Sequence, residues 1–427
     1  PGGLGLYTAS ELTFTLAPNV GYSSTNYEGN SLSDNRVNLG VGNFGVVLSM
    51  KPYVKGNHAL RYFNIGIGFN RQNDFNNRVA IRGINNRNSL MQSFADKLNN
   101  PTVEPWQYVE DDYPFDLGLA YATNLVVYDT LSNTYFCDAA FGGVTQDKII
   151  ETQGSMNELD LAMGANISDK LFVGLTFGIP TINYYEYSTY KEWSNSDTVP
   201  NFISLTYKYD LHTKGTGFNL KAGLIYKPVK WMRIGAAIHT PTWYPSMTDR
   251  WYSSMESSFT NTSWNSYKES PVGTYDYRLT TPFRAFGSLA FIVGRLGLIS
   301  ADYEYVDYSQ ARFNSSGDNF SDVNQSIKSD YGSWGNLRIG TEWRLDNFRI
   351  RGGFGYFSNP YTRKTNNSER FQISGGIGYR GKNFFADGTY TWSRMNQNYY
   401  LYDASMVNPA AITSYTHTVS MTVGVRF

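Results

Sequence analysis

Apolar and polar residues alternate over the last ten positions of the chain. Val419, Met421, Val423, Val425 and Phe427 interleave with Thr418, Ser420, Thr422, Gly424 and Arg426. A period of two is the signature of a strand with one apolar face. The same pattern recurs upstream. Leu337, Ile339, Thr341, Trp343 and Leu345 alternate with Arg338, Gly340, Glu342 and Arg344. After Asp346-Asn347, a plausible tight turn, come Phe348, Ile350, Gly352, Phe354 and Tyr356 against Arg349, Arg351, Gly353 and Gly355. Phe371, Ile373, Ile377 and Tyr379 follow, then Gly381-Lys382-Asn383, then Phe384, Ala386, Gly388, Tyr390 and Trp392.

Read through the whole chain, the pattern predicts fourteen strands: 10–22, 36–50, 60–74, 155–167, 170–187, 202–227, 230–246, 273–293, 295–309, 333–345, 347–358, 369–381, 383–398 and 413–427. Short turns near Lys51–Ala59, Ser168–Asp169, Pro228–Val229, Gly294, Asp346 and Lys382 alternate with long polar connections. An even strand count, with short turns on one side and long loops on the other, is the layout of an outer-membrane barrel. The expected fold is therefore all-β: one 14-stranded antiparallel transmembrane β-barrel with helical extracellular loops, filling 1–427 as a single domain.

The connection over about 76–153 is too long to lack structure of its own. Leu90, Met91, Phe94, Ala95 and Leu98 fall at helical spacing. A second helix is expected to open at Asp112 and Pro114 and to carry Leu117, Tyr121, Leu125 and Tyr128 on one face. Two amphipathic helices would then pack at the extracellular mouth. Their apolar residues Leu90, Phe94, Leu98, Leu117, Tyr121 and Leu125 are candidates to line a ligand groove, or to bury one another as a lid.

Composition supports a barrel. The chain has 427 residues with 34 Tyr, 26 Phe, 9 Trp and 40 Gly, and charged residues are 17%, below the roughly 25% of ordinary soluble domains. The longest nearly apolar run, Leu117 to Tyr128, is too short for a spanning helix of about 20 residues. With 36 basic and 36 acidic residues the net charge is zero, which gives no footprint for nucleic acid. Cys137 is the single cysteine, so no intrachain disulfide forms. The chain opens at Pro1-Gly2-Gly3 without a secretory leader and reads as processed or truncated.

No catalytic or cofactor constellation emerges. The strings Gly40-Val41-Gly42-Asn43-Phe44-Gly45 and Gly376-Ile377-Gly378-Tyr379-Arg380-Gly381 lie within or at the end of alternating segments, whereas a dinucleotide fingerprint joins a strand to a helix. His58, His212, His239 and His417 have no metal-ligand spacing. The expectation is a non-enzyme with no cofactor and no metal. Arg338, Glu342, Arg344, Arg349 and Arg351 sit on the polar faces of neighbouring strands, as do Lys221, Arg233, Asp302, Glu304 and Asp387. Facing lipid they would cost up to about 2–4 kcal/mol for a midplane Arg or Lys, so they are expected to point into the lumen and pair there.

The opening Pro1-Gly2-Gly3-Leu4-Gly5-Leu6-Tyr7, followed by Ser10-Glu11-Leu12-Thr13-Phe14, resembles the N-P-A-G-L-G start of the barrel in the FadL/TodX family, in particular its Bacteroidota-type members. Ser23-Ser24-Thr25-Asn26-Tyr27 with Ser33-Asp34 carries the likeness further, as does Lys227-Pro228-Val229-Lys230-Trp231-Met232-Arg233-Ile234-Gly235-Ala236 leading to His239-Thr240-Pro241-Thr242-Trp243-Tyr244. Gly2 stands where that motif has Ala, and the family's N-terminal hatch would lie before residue 1 or be absent. The resemblance implies an outer-membrane passive transporter of hydrophobic small molecules such as long-chain fatty acids, whose partners are membrane lipids and an apolar ligand. It also implies a lateral opening beside a kinked third strand. The matching strand has the small inward residues Asn64, Gly66, Gly68 and Asn70, further ligand-path candidates, but its sequence shows no kink. The alternatives are a non-transporting barrel subunit of a larger outer-membrane complex and a general porin; two apolar loop helices argue against the wet mouth of a porin.

Overall fold

The computed structural model describes residues 1–52, 59–100, 108–195, 199–362 and 366–427. The chain closes an antiparallel barrel of fourteen strands. We number them β1 (Glu11–Leu16 and Asn19–Tyr27), β2 (Asn30–Asn38 and Val41–Met50), β3 (Leu60–Asp74 and Asn77–Asn85), β4 (Val144–Ile167), β5 (Leu171–Ser194), β6 (Phe202–Val229) and β7 (Met232–His239 and Trp243–Phe259). The second half holds β8 (Gly273–Thr280 and Arg284–Val293), β9 (Gly297–Asp307 and Arg312–Asn314), β10 (Ser333–Leu345), β11 (Phe348–Phe357), β12 (Arg370–Arg380), β13 (Phe384–Tyr399) and β14 (Ala410–Arg426). Closure is by β14 on β1, from Glu11↔Arg426 to Leu16↔Met421, and Phe427 N–H donates to the Ser10 carbonyl at 3.1 Å. Each ladder satisfies the backbone groups that hydrocarbon would otherwise strand.

Alternation sorts the faces as expected. Ile339, Trp343, Phe348, Ile350, Met421 and Val423 are exposed on the outer wall. Their neighbours Arg338, Glu342 and Arg351 form ion pairs on the opposite face. On β6 the outward apolar run Tyr226, Leu224, Leu220 and Phe218 gives way to Lys214 and Lys208. That strand has 28 residues, roughly 90 Å at about 3.3 Å per residue, so even when tilted it rises well beyond an apolar band about 25 Å tall.

Three strands break at prolines. Pro18 separates the halves of β1, Pro241 those of β7 and Pro282 those of β8, because proline has no N–H to give a ladder. Two departures from the sequence reading concern length. The loop after β3 spans 86–143, ten residues shorter at each end than 76–153, because β3 resumes after its break and β4 begins early. The segment 23–35 is a hairpin: Glu28 and Gly29, both at positive φ (47° and 77°), make a two-residue turn between β1 and β2. The turn after β6 falls at Lys230–Trp231, just past the expected Pro228–Val229. The Lys51–Ala59 turn and His58 lie largely or wholly outside the described residues.

An Arg on the outer wall at mid-band should separate lipid from lumen. Met421→Arg should destabilise the folded barrel by about 2–4 kcal/mol in bilayer refolding titrations, while the inward Ser300→Asn should change it by no more than about 0.5 kcal/mol. Equal effects would mean that the faces have been assigned the wrong way round.

Candidate functional site: a wall seam beneath a lid

At the loop end the barrel is covered by the 86–143 segment. It contains α1 (Leu90–Leu98), α2 (Val109–Asp112) and α3 (Leu117–Ala122), then a small hairpin of Val127–Asp129 with Thr134–Phe136. Ser89 caps α1, its hydroxyl accepting from Met91 N–H. The second expected helix differs from the sequence reading. Asp116, not Asp112, caps α3 by accepting from Leu117 N–H at 2.7 Å, and Asn124 at φ 58° ends it. Leu125 therefore lies past the helix and Tyr128 belongs to the hairpin.

Leu90, Phe94, Leu98, Leu117 and Leu125 are each at most 6% exposed, and Tyr121 packs against them half-buried. They join Val79 and Ile81 of β3, Leu205 of β6 and Met255 of β7 in one apolar cluster. The helices thus bury their apolar faces against one another and the upper barrel, as a lid. Cys137 is buried in the same cluster, and burial pushes its thiol pKa up to about 12.

A polar clamp that sequence reading missed ties the lid to the wall. Glu192, near the end of β5, is fully buried. Its carboxylate accepts from Leu90 N–H at 2.9 Å, Ser89 Oγ at 2.5 Å, Gln146 Nε2 at 2.7 Å and Tyr190 OH at 2.5 Å. It therefore sits at the α1 N-terminus and takes the first open N–H of that helix. Tyr27 and Tyr402 extend the network through Gln146.

Below the lid, four neighbouring strands bend at one level. β1 breaks at Ala17–Pro18, β2 at Leu39–Gly40 and β3 at Phe75–Asn76, while β4 carries Gly154 at φ 105°. Asp74 gathers the broken ends: Asn19 Nδ2 donates to it at 2.7 Å, Asn38 Nδ2 at 2.5 Å and Asn76 Nδ2 at 2.6 Å. Above this level Asn77–Asn85 stays paired with β4, and Asn30–Asn38 stays paired with β1. Among the described residues no ladder joins those two segments to each other. Instead Ser23 and Thr25, on the lumen face of β1, donate their hydroxyls to the carbonyls of Arg78 and Ala80 at 2.7 Å each. The third strand is thus kinked, and its upper half runs behind the β1–β2 hairpin.

Ion pairs hold the two layers together: Arg36 to Glu151 at 2.6 Å, Arg78 to Asp34 at 2.9 Å and Arg87 to Glu28 at 2.8 Å. Outside, Val37 and Leu39 are 72% and 78% exposed and form an apolar lip.

The lumen is charged throughout. Lys221 contacts Glu158 at 2.5 Å and Asp160 at 3.0 Å. Asn70 Nδ2 donates to Asp160 at 2.7 Å, and Gln72 Nε2 to Glu158 at 2.8 Å. Across the barrel Arg338 meets Glu304 at 2.7 Å. Glu342 takes Arg351 at 2.9 Å, Arg344 at 3.6 Å and Arg349 at 3.9 Å, and Arg351 also reaches Asp387 at 2.7 Å. Of the charged residues singled out from the sequence, Arg338 pairs with Glu304, and Arg344, Arg349 and Arg351 gather on Glu342, whereas Arg233 and Asp302 form no ion pair among the described residues. Glu158, Asp160, Arg284 and Arg380 were not singled out; the alternation Glu158-Leu159-Asp160-Leu161 is the signal that marks the first two.

The turn end of the lumen holds the segment Pro1–Tyr7, with a 3-10 turn at Gly2–Leu6. Asn64 Nδ2 donates to the Leu4 and Tyr7 carbonyls at 2.7 and 3.1 Å, and the Leu4 side chain fills the space beside Gly66. Gly174, in register with Gly164 and Gly223, lets this segment lie directly on the wall: a Cβ there would stand 2.2 Å from the Pro1 carbonyl oxygen. A chamber of about 420 Å³ remains beside it, lined by Thr13, Gly68, Asp160 and Lys221 among others.

No protein-family model matches the sequence, and no curated protein matches it. The structure is similar to that of a Pseudomonas aeruginosa FadL homologue, with a TM-score of 0.54 at 12% identity over 100% of this chain and 92% of the other. It is similar to the P. putida toluene transporter TodX with a TM-score of 0.54 at 10% identity, over 100% and 92%.

Cys137 should report on the lid. In the folded protein it should react slowly with a maleimide. Glu192→Ala, which leaves the α1 N-terminus and its buried donors unpaired, should remove about 3 kcal/mol of local stability and speed labelling roughly a hundredfold. Unchanged labelling would show that the clamp does not hold the lid. The fold of these two solved barrels, reached at so low an identity, is the fold of this chain.

Proposed function

We propose that this protein is an outer-membrane channel that admits hydrophobic small molecules and releases them sideways through the β2–β3 seam. The loop end then faces the cell exterior and the turn end the periplasm. The observation that carries the reading is the missing ladder between the upper halves of β2 and β3, directly beneath an apolar lid. An apolar solute gains nothing in a lumen crossed by Lys221, Glu158, Arg338, Glu304, Arg351 and Asp387, since displacing their partners strands charge. The route along the seam avoids that interior and ends at Val37 and Leu39, which stand exposed on the outer wall. The solved barrels that share the fold include one described as a toluene transporter, which fits an apolar cargo. Passage is passive in this reading, and the cargo spans small aromatics to long-chain fatty acids. The candidate path runs from the lid cluster of Leu90, Phe94, Leu98, Leu117, Tyr121 and Leu125 to the seam, with Gly68 and Asn70 beneath it.

A second reading, a non-transporting subunit of a larger outer-membrane complex, is favoured by one observation: the lid residues are packed against each other with little exposed.

Uptake separates the two. Cells with the protein should accumulate labelled toluene or fatty acid faster than cells lacking it. Val37→Asp with Leu39→Asp should lower that uptake severalfold while the barrel still assembles, because a charge at the lip raises the cost of entering the bilayer. Equal uptake with and without the protein would end the transport reading and favour the subunit.

A further inference from the structure

A second groove lies on the outer wall, away from the seam. It occupies about 670 Å³ across β5, β6 and β7, where the apolar band stops. Phe177, Ile179 and Phe218 line its lower part, and Thr216, Thr248 and Lys214 its upper part.

The sequence dictates this dent. The β6–β7 ladder slips between Thr216 and Phe218, and the β7–β8 ladder slips between Tyr244 and Met247. Pro245, within the slipped stretch, has no N–H to restore pairing. Gly215 and Gly217 let the Met247 and Tyr244 side chains press on the β6 backbone from the lumen; a Cβ at Gly217 would stand 2.8 Å from the Tyr244 ring. The wall bends, and its outer face is left hollow.

Cations outnumber carboxylates above the hollow. Lys214 pairs in register with Thr248, and His212 with Arg250, so Lys214 and Arg250 share the outer face. Arg278 of β8 lies on that face as well, through Thr248↔Asp276. None of these three cations has a carboxylate within 4 Å among the described residues, whereas Lys221, Arg338 and Arg351 in the lumen are each paired. Two carboxylates share this face: Asp276, which accepts the Thr248 hydroxyl at 2.6 Å, and Asp210, which lies beyond His212 on β6. Apolar walls below and unpaired cations above match a lipid with hydrocarbon at one end and phosphate at the other.

We infer that this groove is a binding site for a phosphorylated lipid of the outer leaflet, namely the lipid A part of lipopolysaccharide, with an acyl chain along Phe177 and Phe218 and a phosphate on Lys214 and Arg250. The choice of leaflet rests on the orientation proposed above, which puts the groove at the outer edge of the bilayer.

Native mass spectrometry of the full chain in detergent micelles tests it, with bis-phosphorylated lipid A, the same molecule dephosphorylated, and phosphatidylglycerol as probes. Lipid A should be retained. Dephosphorylation, or Lys214→Gln with Arg250→Gln, should weaken retention about tenfold, and Lys214→Arg should preserve it. Thr216→Trp, which fills the hollow, should weaken lipid A binding in protein that still shows the gel mobility of a folded barrel. Retention unchanged in the double variant or in Thr216→Trp would overturn the site. Phosphatidylglycerol held as tightly as lipid A would overturn the assignment of the lipid. Cell fractionation is a separate arm: recovery outside the outer membrane would refute the orientation, whatever the micelle titrations give.

Discussion

Hydrocarbon offers no partner to a backbone N–H or C=O, and nearly everything in this barrel follows from that. Fourteen strands close because any edge would leave a row of such groups unpaired, and Phe427 reaches back to Ser10 to finish the ladder. The same rule sets the cost of the seam. Where the upper halves of β2 and β3 part, the chain supplies side chains in place of a strand: Ser23 and Thr25 donate to two carbonyls of β3, and Asn19, Asn38 and Asn76 converge on Asp74. Each such bond contributes only about 1 kcal/mol net, but an empty acceptor would cost more than that. The polar sequence of the β1–β2 hairpin is thus the condition for a kinked third strand.

Charge placement obeys a second constraint. A carboxylate removed from water needs several donors, and Glu192, Glu158, Glu304 and Asp387 each have them. The lumen pairs tie nearby strands together, β3, β4 and β6 through Glu158, and β10, β11 and β13 through Glu342 and Asp387. Glu192 is satisfied in the same way at the lid, by the Leu90 N–H and three side-chain donors in place of a cation. The lid is held as well by Tyr207 and Ser257, whose hydroxyls donate to the Phe115 and Thr123 carbonyls at 3.0 and 2.6 Å, and by apolar burial shared with β3, β6 and β7.

Strand number, closure and the inward aim of Arg338, Glu342 and Arg351 were legible because period two is local: each residue's face follows from its neighbour's. The α1 cluster was legible for the same reason, since Leu90, Phe94 and Leu98 repeat at helical spacing. What escaped was non-local. Asp112 is taken up as the last residue of α2, which leaves Asp116 to cap α3. The kink of β3 has no proline and no glycine at Phe75–Asn76; it arises because Pro18, Gly40 and Gly154, far apart in the chain, fall at one height once the strands are registered. Glu192 lies beyond the expected strand 170–187, and it gains a role only once β5 runs on to Ser194 and the lid helix is placed over it.

For the transport proposed above, the buried lid and the open ladder need to be reconciled, because a channel sealed at its mouth would transport nothing. The lid's apolar cluster includes Val79 and Ile81, which belong to the displaced half of β3 itself. Those side chains face the lid, while Arg78 and Arg82 on the alternate positions face the β1–β2 hairpin and the outer surface of β4. A solute that wedges into the lid cluster therefore presses on the same segment whose carbonyls are held by Ser23 and Thr25. Loosening the lid and loosening the seam are then one motion of Asn77–Asn85 against β1, with the β3–β4 ladder as its fixed edge. On this account the tight packing of the lid is the closed state of the path, and the kink in β3 is what joins entry at the mouth to exit through the wall.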